Sequence, residues 1–98
     1  MKNQKRVRND VVAREWGRLT GGEKEFDGEL RQVSNWNGNY RVYNDGSVYY
    51  YNLLIGEIID GVHVVYDHTS TGGSFYSRST SINVNRLKPY AMKIIDYK

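Results

Sequence analysis

Histidine is the side chain best suited to proton transfer near neutral pH, and this chain has two, His63 and His68. On a strand, side chains alternate between faces, so two histidines five residues apart point to opposite sides. That spacing does not suit a shared metal ion, and the carboxylates are scattered along the chain. We therefore predict structural histidines, with no metal and no cofactor.

A serine–histidine–aspartate triad can be drawn from Ser77, His68 and Asp67. Asp67 and His68, however, are neighbours on a predicted strand and point opposite ways. The Gly-x-Ser-x-Gly sequence of hydrolases is absent, as are phosphate-binding and zinc-protease motifs. The chain also has no cysteine, which excludes disulfides, zinc fingers and thiol nucleophiles. These features predict a protein that is not an enzyme.

Tyrosine is the more informative residue type, with nine copies and three in a row at residues 49–51. Exposed tyrosine is a frequent interface anchor because it offers a large rigid surface at low entropic cost. It also stacks on nucleic-acid bases. The alternative is that these tyrosines fill out a thin core. We predict a protein-binding surface made of Tyr50, Tyr76 and Arg78, with Thr69 and Thr71 from a flexible loop at residues 69–73.

Positive charge is concentrated at the two ends of the chain, whereas residues 9–85 are net acidic. This distribution argues against a basic groove across the body of the protein. Residues 1–8 contain no acid and carry the candidate nucleic-acid contacts Lys2, Lys5, Arg6 and Arg8. Binding through them would weaken steeply with salt. A solvated tail is the alternative reading of this segment.

The elements that must position these residues begin with a helix, which the pattern predicts over about residues 10–20. Val12, Trp16 and Leu19 form one apolar stripe, and a glycine pair follows them. Gly17 inside the helix weakens it by roughly 1 kcal/mol relative to alanine. The helix therefore needs tertiary support, and Trp16 should be buried against the rest of the domain.

Beyond residue 25 the helical period disappears, and Asx-Gly pairs at 37–38, 45–46 and 60–61 separate apolar runs. Such pairs supply the positive φ that a type I′ hairpin turn needs at both central positions. They predict antiparallel strands at about 29–35, 39–44, 47–52, 54–59, 62–68, 74–79 and 82–88. The predicted fold class is α+β: a short N-terminal helix packed on an antiparallel β-meander, as a small curled sheet, barrel or sandwich.

A chain of 98 residues suits one domain. We predict this domain over residues 9–90, with a basic flexible arm at 1–8 and a C-terminal tail at 91–98. No apolar run reaches the length of a membrane span, and no signal-peptide stretch follows the basic start. The expected location is therefore the cytoplasm, with no membrane contact.

Several segments share an order and spacing with a known pattern. They are Val12-Ala13-Arg14-Glu15-Trp16, Gly28-Glu29-Leu30, Val48-Tyr49-Tyr50-Tyr51 with Ile55-Gly56, Asp60-Gly61, and Phe75-Tyr76-Ser77-Arg78-Ser79-Thr80-Ser81. In these parts, over about residues 11–88, the chain resembles a family of small, uncharacterised domains encoded by bacteriophages and other mobile elements. That family often has paired threonines and then a histidine, where this chain has Ser79-Thr80-Ser81 and Asn83.

The resemblance implies a phage-type accessory protein, from a group whose members often block host defence enzymes by occupying their surfaces. We expect a non-catalytic binding protein that inhibits or modulates a host protein or protein–nucleic-acid complex in the host cytoplasm, for example an anti-CRISPR or other counter-defence protein. Two alternatives stay open: a nucleic-acid-binding accessory domain that uses basic termini and exposed tyrosine, and a structural or oligomerising virion component. A homodimer also stays open.

Overall fold

The fold is an open sheet with two helices, seen in a computed structural model that describes residues 4–19, 29–67 and 78–96. In chain order the elements are β1 (Gln4–Arg6), α1 (Asn9–Arg18), β2 (Gln32–Ser34), β3 (Tyr40–Tyr43), β4 (Val48–Tyr50), β5 (Leu53–Ile59), β6 (Val62–Asp67), α2 (Arg78–Leu87) and β7 (Lys93–Asp96). A short 3-10 turn, Lys88–Tyr90, joins α2 to β7. The predicted α+β class is confirmed, and the sheet is uncurled, since β1 and β7 lie at its opposite edges.

The central strands β2 to β6 form the predicted antiparallel meander. Only one of the three Asx-Gly pairs has the predicted turn geometry: Asp60 (φ 52) and Gly61 (φ 78) are both left-handed. At the other two pairs only the glycine has positive φ, 76 at Gly38 and 97 at Gly46. Both of these pairs lie in longer loops, where one left-handed residue suffices to return the chain.

Residues 4–6 and 93–96 form the two edges of the sheet, which corrects for these residues the prediction of a flexible arm at 1–8 and a tail at 91–98. Strand β1 pairs in parallel with β2, and β7 pairs in parallel with β6. Parallel neighbours require a crossover, and α1 and α2 are the helices of these two crossovers. The sequence Gln-Lys-Arg of β1 has no apolar alternation. It is a strand only because it pairs with β2, and its own sequence carries no signal for one.

Helix α2 replaces the strand that the sequence predicted at 82–88, and that prediction was wrong. The predicted strand at 74–79 lies outside the described residues up to residue 77, and its last two positions begin α2. Thr80, Asn83, Val84 and Leu87 are all buried, at helical spacing. The β-branched residues of this segment favour a strand locally, but burial of this stripe against the sheet outweighs that preference.

Helix α1 confirms the predicted helix within two residues at each end. Its Val12, Ala13 and Trp16 are buried and share one core with Val84 and Leu87 of α2 and with the inward faces of β3 to β6. The Trp16 indole is fully buried, and its Nε1 donates to the Gly46 carbonyl at 2.9 Å. The tertiary support expected for this helix is therefore present. Neither described helix is long and apolar enough to cross a membrane.

Gly17 lies where α1 passes closest to Tyr90. A Cβ atom at this position would lie 2.3 Å from Cδ1 of the Tyr90 ring. Helix propensity alone favours Gly17→Ala by roughly 1 kcal/mol. Because of the clash we expect the opposite sign, a loss of about 1–3 kcal/mol in the free energy of unfolding, measured by urea denaturation.

The matched control for Gly17→Ala is the same substitution in a Tyr90→Ala background. Without the ring, alanine should be neutral or stabilising at position 17, as helix propensity requires. A stabilised Gly17→Ala single variant would contradict the packing described here.

Candidate functional site

A recess of about 270 Å³ opens where the start of α1, the β2–β3 turn and α2 meet. We call it the asparagine recess, because amide side chains dominate its lining. The lining residues are Asn9, Asn35, Asn37, Asn39, Tyr50, Ile82, Asn83 and Arg86. These residues include one cation and no carboxylate. The recess therefore combines neutral amides with a single positive charge.

Asn35 is the centre of the amide network and is almost fully buried. Its Oδ1 accepts hydrogen bonds from the backbone N–H groups of Asn39 (3.1 Å) and Tyr40 (3.2 Å). Its Nδ2 donates to Oδ1 of Asn39 (2.7 Å) and to Oδ1 of Asn9 (3.2 Å). One side chain thus closes the β2–β3 turn and ties that turn to α1.

The network continues from α1 to α2. Nδ2 of Asn9 donates to Oδ1 of Asn83 at 3.0 Å, and the hydroxyl of Tyr40 donates to the Asn83 carbonyl at 3.0 Å. Burial raises the pKa of the Tyr40 hydroxyl well above its ordinary value, and nearby Arg86 offsets this only in part. The hydroxyl therefore stays protonated, and donates its hydrogen bond, throughout the physiological pH range. Three separate elements are held in one geometry.

Two exposed aromatic residues adjoin recess residues along the chain, and we call them the aromatic rim. Trp36 is 68% exposed and stands between two recess residues, Asn35 and Asn37. Tyr51 is 60% exposed, and its ring makes an edge contact with Tyr50, which lines the recess, at 4.8 Å between centroids. Large aromatic side chains this exposed are more informative than scattered aliphatic ones, because aromatic residues anchor interfaces.

Tyr51 has a left-handed backbone, with φ 55. This conformation suits glycine or asparagine, and a bulky residue adopts it at a cost of about 1–3 kcal/mol. Two contacts hold it: the Tyr51 N–H donates to the Asn39 carbonyl at 2.6 Å, and the Arg41 guanidinium donates to the Tyr51 carbonyl at 2.6 Å. A strained conformation that its surroundings enforce is a reason to look for function at that residue.

The structure describes two of the five predicted protein-binding residues, Tyr50 and Arg78. Tyr50 was wrong as an exposed anchor, because it is 6% exposed. It shares a buried face of β4 with Val48, and that face packs in the core under the helices and forms part of the recess wall. Arg78 is the first residue of α2. Tyr76, Thr69 and Thr71 lie outside the described residues.

Two of the predicted nucleic-acid contacts lie in a strand and not in a flexible arm. Lys5 and Arg6 lie in β1, and Lys2 lies outside the described residues. Exposed Arg6 donates from Nη1 to the Trp36 carbonyl at 2.9 Å, which brings a cation to the aromatic rim. Arg8 pairs with Asp10, with Nε and Oδ1 3.3 Å apart. Of the four cations, the structure thus connects Arg6 to the candidate site.

His63 has a structural environment. It is buried, its Nε2 lies 3.0 Å from the Trp16 carbonyl and so donates to it, and its ring contacts the Trp16 ring at 4.8 Å. In the described ranges no three histidine, aspartate or glutamate side chains cluster as metal ligands would. Of the triad drawn from the sequence, Asp67 forms an ion pair with Lys88 at 3.0 Å. His68 and Ser77 lie outside the described residues.

Sequence reasoning missed the recess, although one signal was present. The run Asn35-Trp36-Asn37-Gly38-Asn39 was interpreted only as a hairpin turn. Three asparagines around a tryptophan exceed what a turn requires. The contributions of Asn9 and Asn83, in contrast, have no local signal.

Comparison with protein-family models finds no match, and comparisons with curated proteins and with solved structures find none. The resemblance to phage-encoded domains therefore stays a prediction. In the described part of the chain, the recess and its rim bring together exposed aromatic residues, a cation and buried amides.

Proposed function

We propose that this chain is a non-catalytic binding protein that grips a protein partner with the asparagine recess and the aromatic rim. The observation that carries the proposal is Tyr51, a large exposed side chain in a left-handed backbone conformation. Glycine at this position would relieve the backbone strain without opening a cavity, since the ring is mostly in solvent. The tyrosine ring is therefore best explained as a contact with something outside the chain.

The composition of the surface supports a protein partner. Tryptophan, tyrosine and arginine are the residue types most enriched at interface hot spots, and Trp36, Tyr51 and Arg86 supply one of each around the recess. A recess of about 270 Å³ is small beside typical ligand pockets and suits a single inserted side chain. A polar cavity beside aromatic anchors matches the anatomy of a small interface.

The resemblance described above adds a proposal about the kind of partner. If the chain belongs with the phage-encoded domains, the partner is a host factor in the host cytoplasm, and binding inhibits or modulates it by covering its surface. The amide network that joins α1, α2 and the β2–β3 turn supports such a role, because a preorganised surface loses less entropy on binding.

A second candidate is single-stranded nucleic acid, and one observation favours it. The Arg6 guanidinium lies against the backbone of exposed Trp36, so that a cation and a stacking surface are neighbours. Phosphate contacts of this kind weaken steeply with salt, whereas a protein interface anchored by aromatic rings does so less. The two candidates therefore separate by the salt dependence of binding.

Tyr51→Gly tests the proposed function. We expect the variant to keep or raise its melting temperature, because the strain is relieved, while it captures the partner at least roughly tenfold more weakly. The partner is first isolated from nuclease-treated lysate with the wild-type chain, and affinities are then measured by calorimetry with the purified partner.

Asn52→Gly is the matched control, since Asn52 is exposed in the same turn. It should bind like the wild type. Equal capture by the wild type and Tyr51→Gly would refute the proposal. In a parallel capture from lysate without nuclease, binding that survives only at low salt and only with nucleic acid present would favour the second candidate.

A further inference from the structure

We propose that the asparagine recess binds a carboxylate, an aspartate or glutamate side chain in an acidic segment of the partner, with Arg86 as its ionic contact. This inference rests on the proposed protein-binding function and names the chemistry that the partner brings to it. It follows from the hydrogen-bonding polarity of the recess and from its charge.

Backbone groups fix the polarity of the amides. The two N–H groups that donate to Asn35 belong to the main chain and cannot be exchanged for acceptors, so the oxygen of Asn35 must face them. Its Nδ2 then faces the oxygens of Asn9 and Asn39, and Nδ2 of Asn9 in turn faces the oxygen of Asn83. Each amide orientation follows from the one before it.

This chain of bonds consumes acceptors and leaves donors. The side-chain oxygens of Asn9, Asn35, Asn39 and Asn83 all accept hydrogen bonds within the network. An amide NH₂ has two donors. Nδ2 of Asn9 uses one, and among the described residues Nδ2 of Asn39 meets no acceptor. The exposed Asn37 side chain bonds to no described residue through either amide atom and does not enter this count. The recess is therefore matched to a group that only accepts.

An ionised carboxylate is such a group, with two oxygens and no donor. Among protein side chains, the neutral amides and hydroxyls also carry donors, and these would face the surplus donors of the recess without a partner. The charge agrees with this choice: Arg86 is exposed, lies in the last turn of α2 and forms no ion pair with any residue that the structure describes. Charge-assisted bonds from an arginine to a carboxylate are among the strongest available to a protein surface.

The nearest acids of the same helices do not supply this carboxylate. Asp10, on α1, already pairs with Arg8 at 3.3 Å. The recess itself contributes no acid. Among the described residues Arg86 therefore has no ionic partner, and a recess of about 270 Å³ admits one carboxylate side chain from another molecule.

A displayed library of random peptides, selected on the full chain, tests the inference. We expect the selected peptides to share an aspartate or glutamate at one position. Replacement of that acid by its amide in a synthetic peptide should weaken binding by roughly tenfold or more. Arg86→Gln in the protein should cause a similar loss, and the two changes together should cost little more than either alone, because they remove one interaction.

Arg14→Gln is the control for the loss of one positive charge, because Arg14 is exposed on α1 and does not line the recess. It should bind like the wild type. The carboxylate proposal is wrong if the peptides bind equally well with the amide, or if Arg86→Gln leaves their affinity unchanged. If those same peptides bind the Tyr51→Gly variant more weakly than the wild type, the proposed protein-binding function stands without the carboxylate. A library that yields no binding peptide, whether or not an oligonucleotide binds, overturns both.

Discussion

Trp16→Ala should lower the free energy of unfolding by about 3–5 kcal/mol, which approaches the whole stability of a domain this size. The indole is fully buried, so its loss leaves a cavity between α1 and the sheet. The indole packs over Gly56 of β5: a Cβ atom at position 56 would lie only 3.4 Å from Cζ2 of Trp16. Its Nε1 bond to the Gly46 carbonyl is also lost, which leaves that acceptor without its partner.

Trp36→Ala is the matched control for this prediction, because Trp36 is the other tryptophan of the chain and is 68% exposed. It should change stability by no more than about 0.5 kcal/mol. Urea denaturation followed by circular dichroism measures both variants. A Trp16→Ala variant within about 1 kcal/mol of the wild type would show that α1 is an appendage, contrary to the packing described above.

Asn35→Ala should lower the free energy of unfolding by about 2–4 kcal/mol, an unusual loss for a residue in a turn. The substitution removes the acceptor of two backbone N–H groups and the donor to Asn9 and Asn39. The buried main-chain donor of Tyr40 then has no side-chain acceptor, and the link between the turn and α1 is gone. Binding through the recess should fall with it.

Asn37→Ala is the control, since Asn37 is exposed in the same turn and lies only two residues away. Its effect on stability should stay within about 0.5 kcal/mol. Asn35→Asp separates the two roles of the side chain, because aspartate keeps an acceptor for the backbone but places a carboxylate against two amide oxygens. Equal stabilities of Asn35→Ala and Asn37→Ala would show that the amide network does not hold the site together.

Local sequence signals predicted the centre of this fold. The stripe of Val12 and Trp16 predicted α1 and its burial, and the Asx-Gly pairs predicted three of the four reversals between β2 and β6. The turn at residues 51–52, between β4 and β5, has no such pair. These features depend on residues within a few positions of one another. A turn such as Asp60-Gly61 has its geometry because of the backbone freedom of its own residues, so sequence alone predicts it.

Other features depend on packing between distant segments. The segment of Val84 and Leu87 has a local preference for a strand. As a helix, however, it buries both residues on one face, in contact with α1 and the sheet, and these tertiary contacts stabilise α2. Strand β1 exists because β2 is beside it. Strand alternation puts Tyr49 and Tyr50 on opposite faces of β4, but the whole sheet determines which of these faces the helices cover.

The candidate site divides in the same way. The asparagines of the β2–β3 turn and Trp36 are visible in the sequence as a dense polar run around one aromatic ring. Their partners are not, since Asn9 lies 26 residues from Asn35 and 74 from Asn83. Hydrogen bonds between amides carry no sequence periodicity, so only the folded chain determines which of them meet. By itself the sequence determined the helix α1, the meander and the absence of cysteine chemistry; the tertiary structure decided the recess, because it alone sets which distant amides share their hydrogen bonds.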